Sequence, residues 1–519
     1  MRSPVRRVVS ALGLALLCAV VPDGATRRAA AERPTATGAE LSAAWSATAA
    51  DLVRRAKAGG HVELAAAIEG WDVPEPGDRQ CVLAIPDVPP EDAIPDWLDT
   101  AAERSIWDEF LAARRTRAAG TFALAVAATR RPSPQPPRAT AAEAPERRPA
   151  EPDATEAIRL LYRSLRDDPD HARAREAAGW VRRDGRWLWP EAARHLDRGE
   201  EHSVEFGWLP RGREDRYRAG ERFAHGRWMT PHAPPGPAAP RAGPADPARE
   251  FDRQAWPFAS DHWQITTTAD APAAADLARR LEEAHTAWRQ VFGGFQHEPA
   301  EWERRLQGRG RPTPLEPFAA RLTADRSAYV AILEPLEPSI ARTSGLYWSP
   351  TRTAWFFVGG GEEPLTVHHE ATHQLFAQTR RTSPLAGEYR GFWAIEAAAC
   401  YLESLQPTAW GWTVGGRDAG RAAMARERLL EDGFHVPLAE LVSMGRRTFQ
   451  ADDRLPQIYS EISGLADFFM NGERGRYRAA FVEYLTRIYT GTVDDDTLAR
   501  LCQRGYADLD DAYRRHMAR

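Results

Sequence analysis

A short segment of the sequence combines two histidines and a glutamate at a spacing that suits metal chemistry. It reads HEATH, with His369 and His373 four positions apart and Glu370 beside the first histidine. The pattern predicts an α-helix over residues 365–378, in which positions i and i+4 lie one turn apart on one face. Two imidazoles so placed can bind one tetrahedral Zn²⁺, with Glu370 as general base toward a metal-bound water. The alternative is a helix whose two histidines coincide by chance.

A second predicted helix offers a third ligand, which zinc hydrolases of this kind need beside one open coordination position. The segment from Phe392 to Glu403 is strongly helical in character, and Glu396 lies in its first turns. A helix crossing behind the first could bring the Glu396 carboxylate to the metal. The alternative is that Glu396 is an ordinary surface carboxylate.

The two motifs together, HExxH and WxxExxAxYxE, resemble those of the gluzincin metallopeptidases, whose third ligand is a glutamate of the second helix. The order of elements over residues 255–515 is similar to that of the bacterial gluzincin-like family called domain of unknown function 1570. The resemblance implies that His369, His373 and Glu396 bind zinc and that Glu370 is the base. It also implies a secreted or envelope protein that acts on a peptide or protein.

Some positions depart from familiar gluzincin patterns. Cys400 stands where thermolysin-like enzymes have an aspartate, so a different acceptor must orient a ligand histidine, and Glu403 is the candidate. The tetrahedral intermediate needs a hydrogen-bond donor besides the metal. Tyr459 is the first candidate for this donor, with Tyr401 and His435 behind it. No GxMEN-like motif lies upstream, which argues against leukotriene-hydrolase-like aminopeptidases and leaves endopeptidase and carboxypeptidase action open.

The elements that must position these residues predict an α+β, mainly α fold for residues 251–519. A small sheet precedes the HExxH helix, and a helical C-terminal lobe follows it. Predicted strands cover residues 262–268, 318–323, 346–348 and 354–358, and a helix covers 274–292. By analogy with gluzincins, the aromatic strand 354–358 is expected to align an extended substrate beside the zinc.

The remainder of the chain divides into a leader, two modules and two linkers. Residues 1–31 have a basic start, an apolar run and small residues, which is typical of a secretory signal and predicts a periplasmic, envelope or extracellular protein. Residues 131–154 and 233–250 are rich in Pro and Ala and predict extended linkers. Helices are predicted over 32–130, and a helix pair with two Trp-containing hairpin units over 155–232. Asp184-Gly185 is a type I′ turn signal in the first hairpin.

Composition excludes several classes of protein. The chain has 519 residues, of which 43% are hydrophobic and 27% charged, so it is neither wholly disordered nor a multi-span membrane protein. The net charge of -5 gives no global signal for nucleic acid, and no apolar segment of spanning length follows the leader. Outside the leader, Cys81, Cys400 and Cys502 are widely spaced; they predict no disulfide framework but leave one bridge open.

The sequence therefore predicts an exported zinc-dependent hydrolase that cleaves peptide bonds. The alternative is a non-catalytic envelope binding or scaffold protein in which the tryptophan modules carry the function. A zinc hydrolase that acts on a non-peptide amide is a third interpretation. The N-terminal modules could recruit a substrate, anchor the enzyme or inhibit it.

Overall fold

The computed structural model describes residues 37–73, 77–86, 95, 97–129, 154–230, 246–310, 314–360 and 363–519. These residues form an α+β fold in which helices predominate, as the sequence predicts. The predicted signal peptide and most of both predicted linkers lie outside the described residues. Within the described ranges, no helix has both the length and the apolar character that crossing a membrane requires.

The N-terminal region is a small helical bundle with one short strand. Its elements are α1 (Gly38–Ala58), α2 (Val62–Glu69), β1 (Gln80–Leu83) and α3 (Ala101–Ala128). Capping boxes begin α1 and α3. The side chain of Thr37 accepts the backbone N–H of Glu40, and the Glu40 side chain accepts the backbone N–H of Thr37; Thr100 and Glu103 are paired in the same way. Trp45, Leu52 and Phe110 are buried in the core of this bundle.

The middle region combines a helix pair with three hairpins. Its elements are α4 (Ala154–Asp167), α5 (Ala172–Ala178), β2 (Val181–Arg183), β3 (Arg186–Leu188), α6 (Pro190–Asp197), β4 (Glu200–Ser203), β5 (Gly207–Pro210), α7 (Glu214–Arg218), β6 (Arg222–Ala224) and β7 (Arg227–Met229). Asp184 and Gly185 join β2 to β3 with φ of 49° and 83°, as a type I′ turn requires. Two hairpin units were too few, because the second Trp pattern is divided between two hairpins: Trp208 lies on β5, which pairs with β4, and Trp228 lies on β7, which pairs with β6.

The C-terminal region begins inside the second predicted linker, because Asp246 caps a helix that starts at Pro247. Its first elements are α8 (Pro247–Gln254), β8 (Trp256–Ala259), β9 (Trp263–Thr267), α9 (Ala271–Val291), α10 (Gly293–Gln296), α11 (Pro299–Leu306), β10 (Phe318–Thr323), α12 (Arg326–Leu333), β11 (Leu346–Trp348), β12 (Thr353–Phe357), α13 (Pro364–Gln378) and α14 (Phe392–Glu403). The tail adds β13 (Gln406–Thr408), β14 (Gly411–Val414), α15 (Gly420–Glu427), α16 (Leu438–Ser443), α17 (Arg446–Gln450), α18 (Leu455–Gly475), α19 (Arg478–Thr490), α20 (Thr497–Cys502) and α21 (Tyr506–Ala518).

A seven-stranded mixed sheet has the strand order β11-β12-β10-β9-β8-β5-β4. Strands β9, β10 and β12 are parallel, and β11 pairs antiparallel with β12 at the edge. The expectation that the aromatic strand aligns a substrate is wrong, because β12 is buried throughout and hydrogen-bonded on both sides. The strand with a free edge beside α13 is β11.

The sheet continues across the second predicted linker, since β4 and β5 precede that segment and β8 follows it. Gly207 makes the crossing possible: its φ is 69°, and an added Cβ would lie 2.1 Å from the Ala259 carbonyl oxygen. The indole of Trp208 donates to Asp261 at 2.8 Å across the same junction. A second junction ties the N-terminal bundle to the tail, because β1 pairs antiparallel with β14.

Candidate metal centre

Helix α13 is fixed to the sheet by its apolar face and by one buried amide. The Gln374 side chain accepts the Trp263 indole N–H at 2.9 Å and donates to the Ala319 carbonyl oxygen at 2.9 Å. Completely buried on this helix are Val367, Ala371 and Leu375. The helix therefore has a fixed rotation about its axis, which turns His369 and His373 toward α14.

The three sequence-predicted zinc ligands converge. The Nε2 atoms of His369 and His373 lie 3.1 Å apart. Each also lies close to the Glu396 carboxylate, at 3.5 Å from Oε2 for His369 and 3.6 Å from Oε1 for His373. Glu396 comes from the buried helix α14, which packs against α13. Two imidazole nitrogens and one carboxylate facing a common point form a donor set that suits Zn²⁺ with one open position.

The electrostatics of this cluster favour the forms that bind a metal at two of the three positions. Burial lowers the pKa of His373 to about 4, so its imidazole is neutral at physiological pH. Burial alone would raise the pKa of Glu396, but His373 and His369 lower it to about 2. His369 is different: burial opposes its protonation, but Cys400, Glu396 and Glu403 outweigh it and raise its pKa well above the ordinary value.

Glu370 lies beside the ligands and is held by the edge strand. Its Oε2 accepts the backbone N–H of Tyr347 in β11 at 2.6 Å. Burial raises the pKa of this carboxyl. Gly345, just before β11, allows the close approach, since an added Cβ would lie 3.2 Å from Glu370 Cγ and 2.6 Å from Thr366 Cγ2.

Glu403 lies behind His369. Its Oε1 is 2.8 Å from His369 Nδ1, and its Oε2 accepts the Arg421 guanidinium N–H at 2.8 Å. A carboxylate on Nδ1 leaves Nε2 directed toward the other ligands. Arg421 was missed by the sequence analysis, because it lies on α15 beyond a hairpin and no motif or spacing connects it to the site.

Of the three candidate oxyanion donors, only Tyr459 lies at this centre. Its hydroxyl donates to Glu396 Oε2 at 3.1 Å. The Tyr401 hydroxyl instead bonds Gln80 at 2.7 Å and Asn471 at 3.2 Å in the core. His435 pairs with Glu461 at 2.6 Å and with Asp510 at 3.3 Å in the helical tail.

Cys400 creates a second donor set that shares His369. The thiol, the His369 imidazole and the Glu403 carboxylate each offer an atom within 4.8 Å of the other two. Burial raises the pKa of the Cys400 thiol. No disulfide joins Cys81, Cys400 or Cys502 to another of the three, so the bridge that the sequence left open does not form among them.

Searches against family models, curated proteins and solved structures each found no significant match to the chain. The relationship to the gluzincins therefore stays a resemblance carried by the two motifs.

Proposed function

We propose that the chain is an exported zinc metallopeptidase of the gluzincin type, similar to the domain of unknown function 1570 family, that cleaves a peptide or protein. The main support is the convergence of His369, His373 and Glu396 with Glu370 beside them. The exported location rests on the composition of residues 1–31.

The roles of the residues follow from their contacts. His369, His373 and Glu396 would hold the zinc ion, which would supply a Lewis acid and lower the pKa of a bound water to about 7. Glu370 accepts the proton of the attacking water and passes it to the leaving amine. The hydroxyl of Tyr459 donates to Glu396 Oε2 and would turn from this carboxylate to donate to the oxyanion. Glu403 keeps the His369 ring in one orientation through its contact with Nδ1.

The free edge of β11 supports an extended peptide as the substrate. The N–H of Tyr347 is directed away from β12 and reaches Glu370, so this edge of the sheet faces the base. A peptide added to the edge as a further strand would pass the metal ligands, and one of its carbonyl oxygens would replace Glu370 as the acceptor of the Tyr347 N–H. Recognition of this kind does not depend strongly on side chains.

The rival interpretation, a binding protein that works through its tryptophans, has less support. Trp180 and Trp187 are only 4% and 1% exposed. Trp180 also stacks on Trp189 with a centroid distance of 4.2 Å, and the Trp208 ring stacks on His195 at 4.8 Å. Such side chains fill a core and leave no flat aromatic surface for a ligand.

The test compares the zinc-loaded full chain with Glu370→Gln on a library of internally quenched peptides. Loss of the base is expected to lower kcat by about 10²- to 10⁴-fold while zinc content stays unchanged, because Glu370 is not a ligand. Glu427→Gln, a change at the exposed end of α15, is the matched control and should cleave like the wild type. If the zinc-loaded wild type cleaves no member of the library faster than Glu370→Gln does, the proposal is wrong.

A further inference from the structure

A second group of metal-binding side chains lies apart from the HExxH helix. Glu282 and His285 are three positions apart on α9 and therefore share one face of that helix. His262, just before β9, packs against this face. Helix α9 and strand β9 are rigid elements of the main core, so the three side chains are held by the fold itself.

The geometry of this group would allow its three side chains to bind one metal ion. His262 Nδ1 lies 2.6 Å from Glu282 Oε2, and the rings of His262 and His285 are 3.8 Å apart at their centroids. One donor atom from each residue lies within 4.8 Å of the other two. Both imidazoles are buried, with 3% and 2% exposure. The Glu282 side chain is 27% exposed, which leaves a path from solvent.

The surroundings are acidic. Glu191 Oε2 lies 3.9 Å from His262 Nε2, and Asp261 adjoins His262 in the chain. The carboxylates of Glu282, Glu191 and Asp261 therefore crowd negative charge around His262. Arg289 does not relieve this crowding directly, because its guanidinium contacts the Ala178 carbonyl oxygen and the Trp189 ring.

His285 is the residue that an ion pair alone does not explain. His262 and Glu282 already form a complete acid–base pair, which needs no second imidazole. The His285 ring is 2% exposed and lies 3.8 Å from the His262 ring between centroids, so it is enclosed together with that pair. This second imidazole adds a third donor to the pair, and one donor atom of each residue lies within 4.8 Å of the other two, as ligands of one metal ion require.

We propose that His262, Glu282 and His285 form a second metal site, which takes a first-row divalent ion such as Zn²⁺. Imidazole and carboxylate ligands select this class of ion over Ca²⁺ and Mg²⁺. Binding replaces the contact between His262 and Glu282, and the proton that they share is released to solvent. The ion would join β9 to α9 and so stabilise the layer on which α13 packs. The site is independent of the proposed peptidase activity.

The experiment counts zinc in the full-length chain after metal removal, zinc addition and dialysis. His369→Ala disables both donor sets at the HExxH helix, and His285→Gln disables the second site. The wild type is expected to retain about two zinc ions per chain, each single variant about one, and the double variant none. Asp276→Asn, at a half-buried position of α9 that pairs with Arg279 and Arg280, is the matched control and should bind like the wild type.

The outcomes separate the two proposals. If His369→Ala retains no zinc, or if His285→Gln retains as much as the wild type, the second site is wrong. If His285→Gln loses one ion and His369→Ala loses none, the second site stands and the proposed peptidase centre fails. Circular dichroism checks that each variant is folded. If His285→Gln is unfolded, Glu282→Gln takes its place with the same expected count.

Discussion

The hydroxyl of Tyr459 is a neutral donor placed beside the ligand carboxylate of Glu396. Burial and the charge of Glu396 raise its pKa far above the ordinary value, so it keeps its proton across the working pH range. Tyr459→Phe is expected to lower kcat by about 10²-fold, because it removes a hydrogen-bond donor to the oxyanion. The zinc content should stay unchanged, because Tyr459 is not a proposed zinc ligand. Steady-state kinetics with metal analysis measures both. Tyr506→Phe is the control, and an unaltered kcat in Tyr459→Phe would remove this residue from the reaction.

The two sets of donor atoms that share His369 predict different effects of substitutions on zinc affinity. Glu403 already engages both His369 Nδ1 and Arg421, so we expect the metal on the side of His373 and Glu396. Cys400→Ser should therefore keep its zinc affinity within about threefold, whereas His373→Ala should lose at least about 100-fold. Competition titration with a chromophoric chelator measures both affinities. A larger loss of zinc affinity in Cys400→Ser than in His373→Ala would assign the metal to the Cys400 thiol.

At the scale of elements, the sequence predicts best where a local pattern decides. Strands 318–323 and 346–348 and the helix that carries Glu396 lie where alternation and helical periodicity put them. Helical spacing also identified Glu403, because it is nearly two turns beyond Glu396 on the same helix. Pairing with distant segments was not predictable: β1 finds its partner in β14, and Arg421 reaches Glu403 only through the packing of α15. The position of Tyr459 in the fold, likewise, comes from tertiary packing.

The contact between β11 and α13 depends on Gly345. An added methyl group would lie 2.6 Å from Thr366 Cγ2, closer than side chains pack, so the strand or the helix must move. Gly345→Ala is expected to lower the free energy of unfolding by about 1–3 kcal/mol. Activity should fall further than stability alone explains, because the Tyr347 N–H leaves Glu370. Urea unfolding and kcat are compared with those of Gly38→Ala, where the added Cβ meets Leu124 at an ordinary 3.7 Å. Wild-type values for both quantities in Gly345→Ala would contradict this account.

At the scale of the whole molecule, stability should depend on pH through the buried pair of His435 and Glu461. Burial opposes the charge on His435, but its bonds to Asp510 and Glu461 outweigh it and raise its pKa to about 9. Because the pKa of His435 is higher in the folded state than its unfolded value of about 6.5, its protonation stabilises the folded state fully below that unfolded value. This contribution is lost as the pH rises through the folded pKa. His435→Gln should therefore cost on the order of 1–3 kcal/mol at pH 6 and much less at pH 10. Urea unfolding at both pH values measures the difference, with the exposed His202→Gln as control. An equal cost at both would refute the assignment.

The pairing of β1 with β14 also constrains the order in which the molecule can fold. Strand β1 packs mainly on α9, α4 and β14, so it has no strand partner until Gly411–Val414 has been synthesised, far along the chain. Contacts between segments so distant in sequence form slowly, because a long loop must close before any of them contributes. The segment that contains β1 would meanwhile present an open strand edge to other chains. Native pairing of this strand is therefore a late event that waits for a distant part of the sequence.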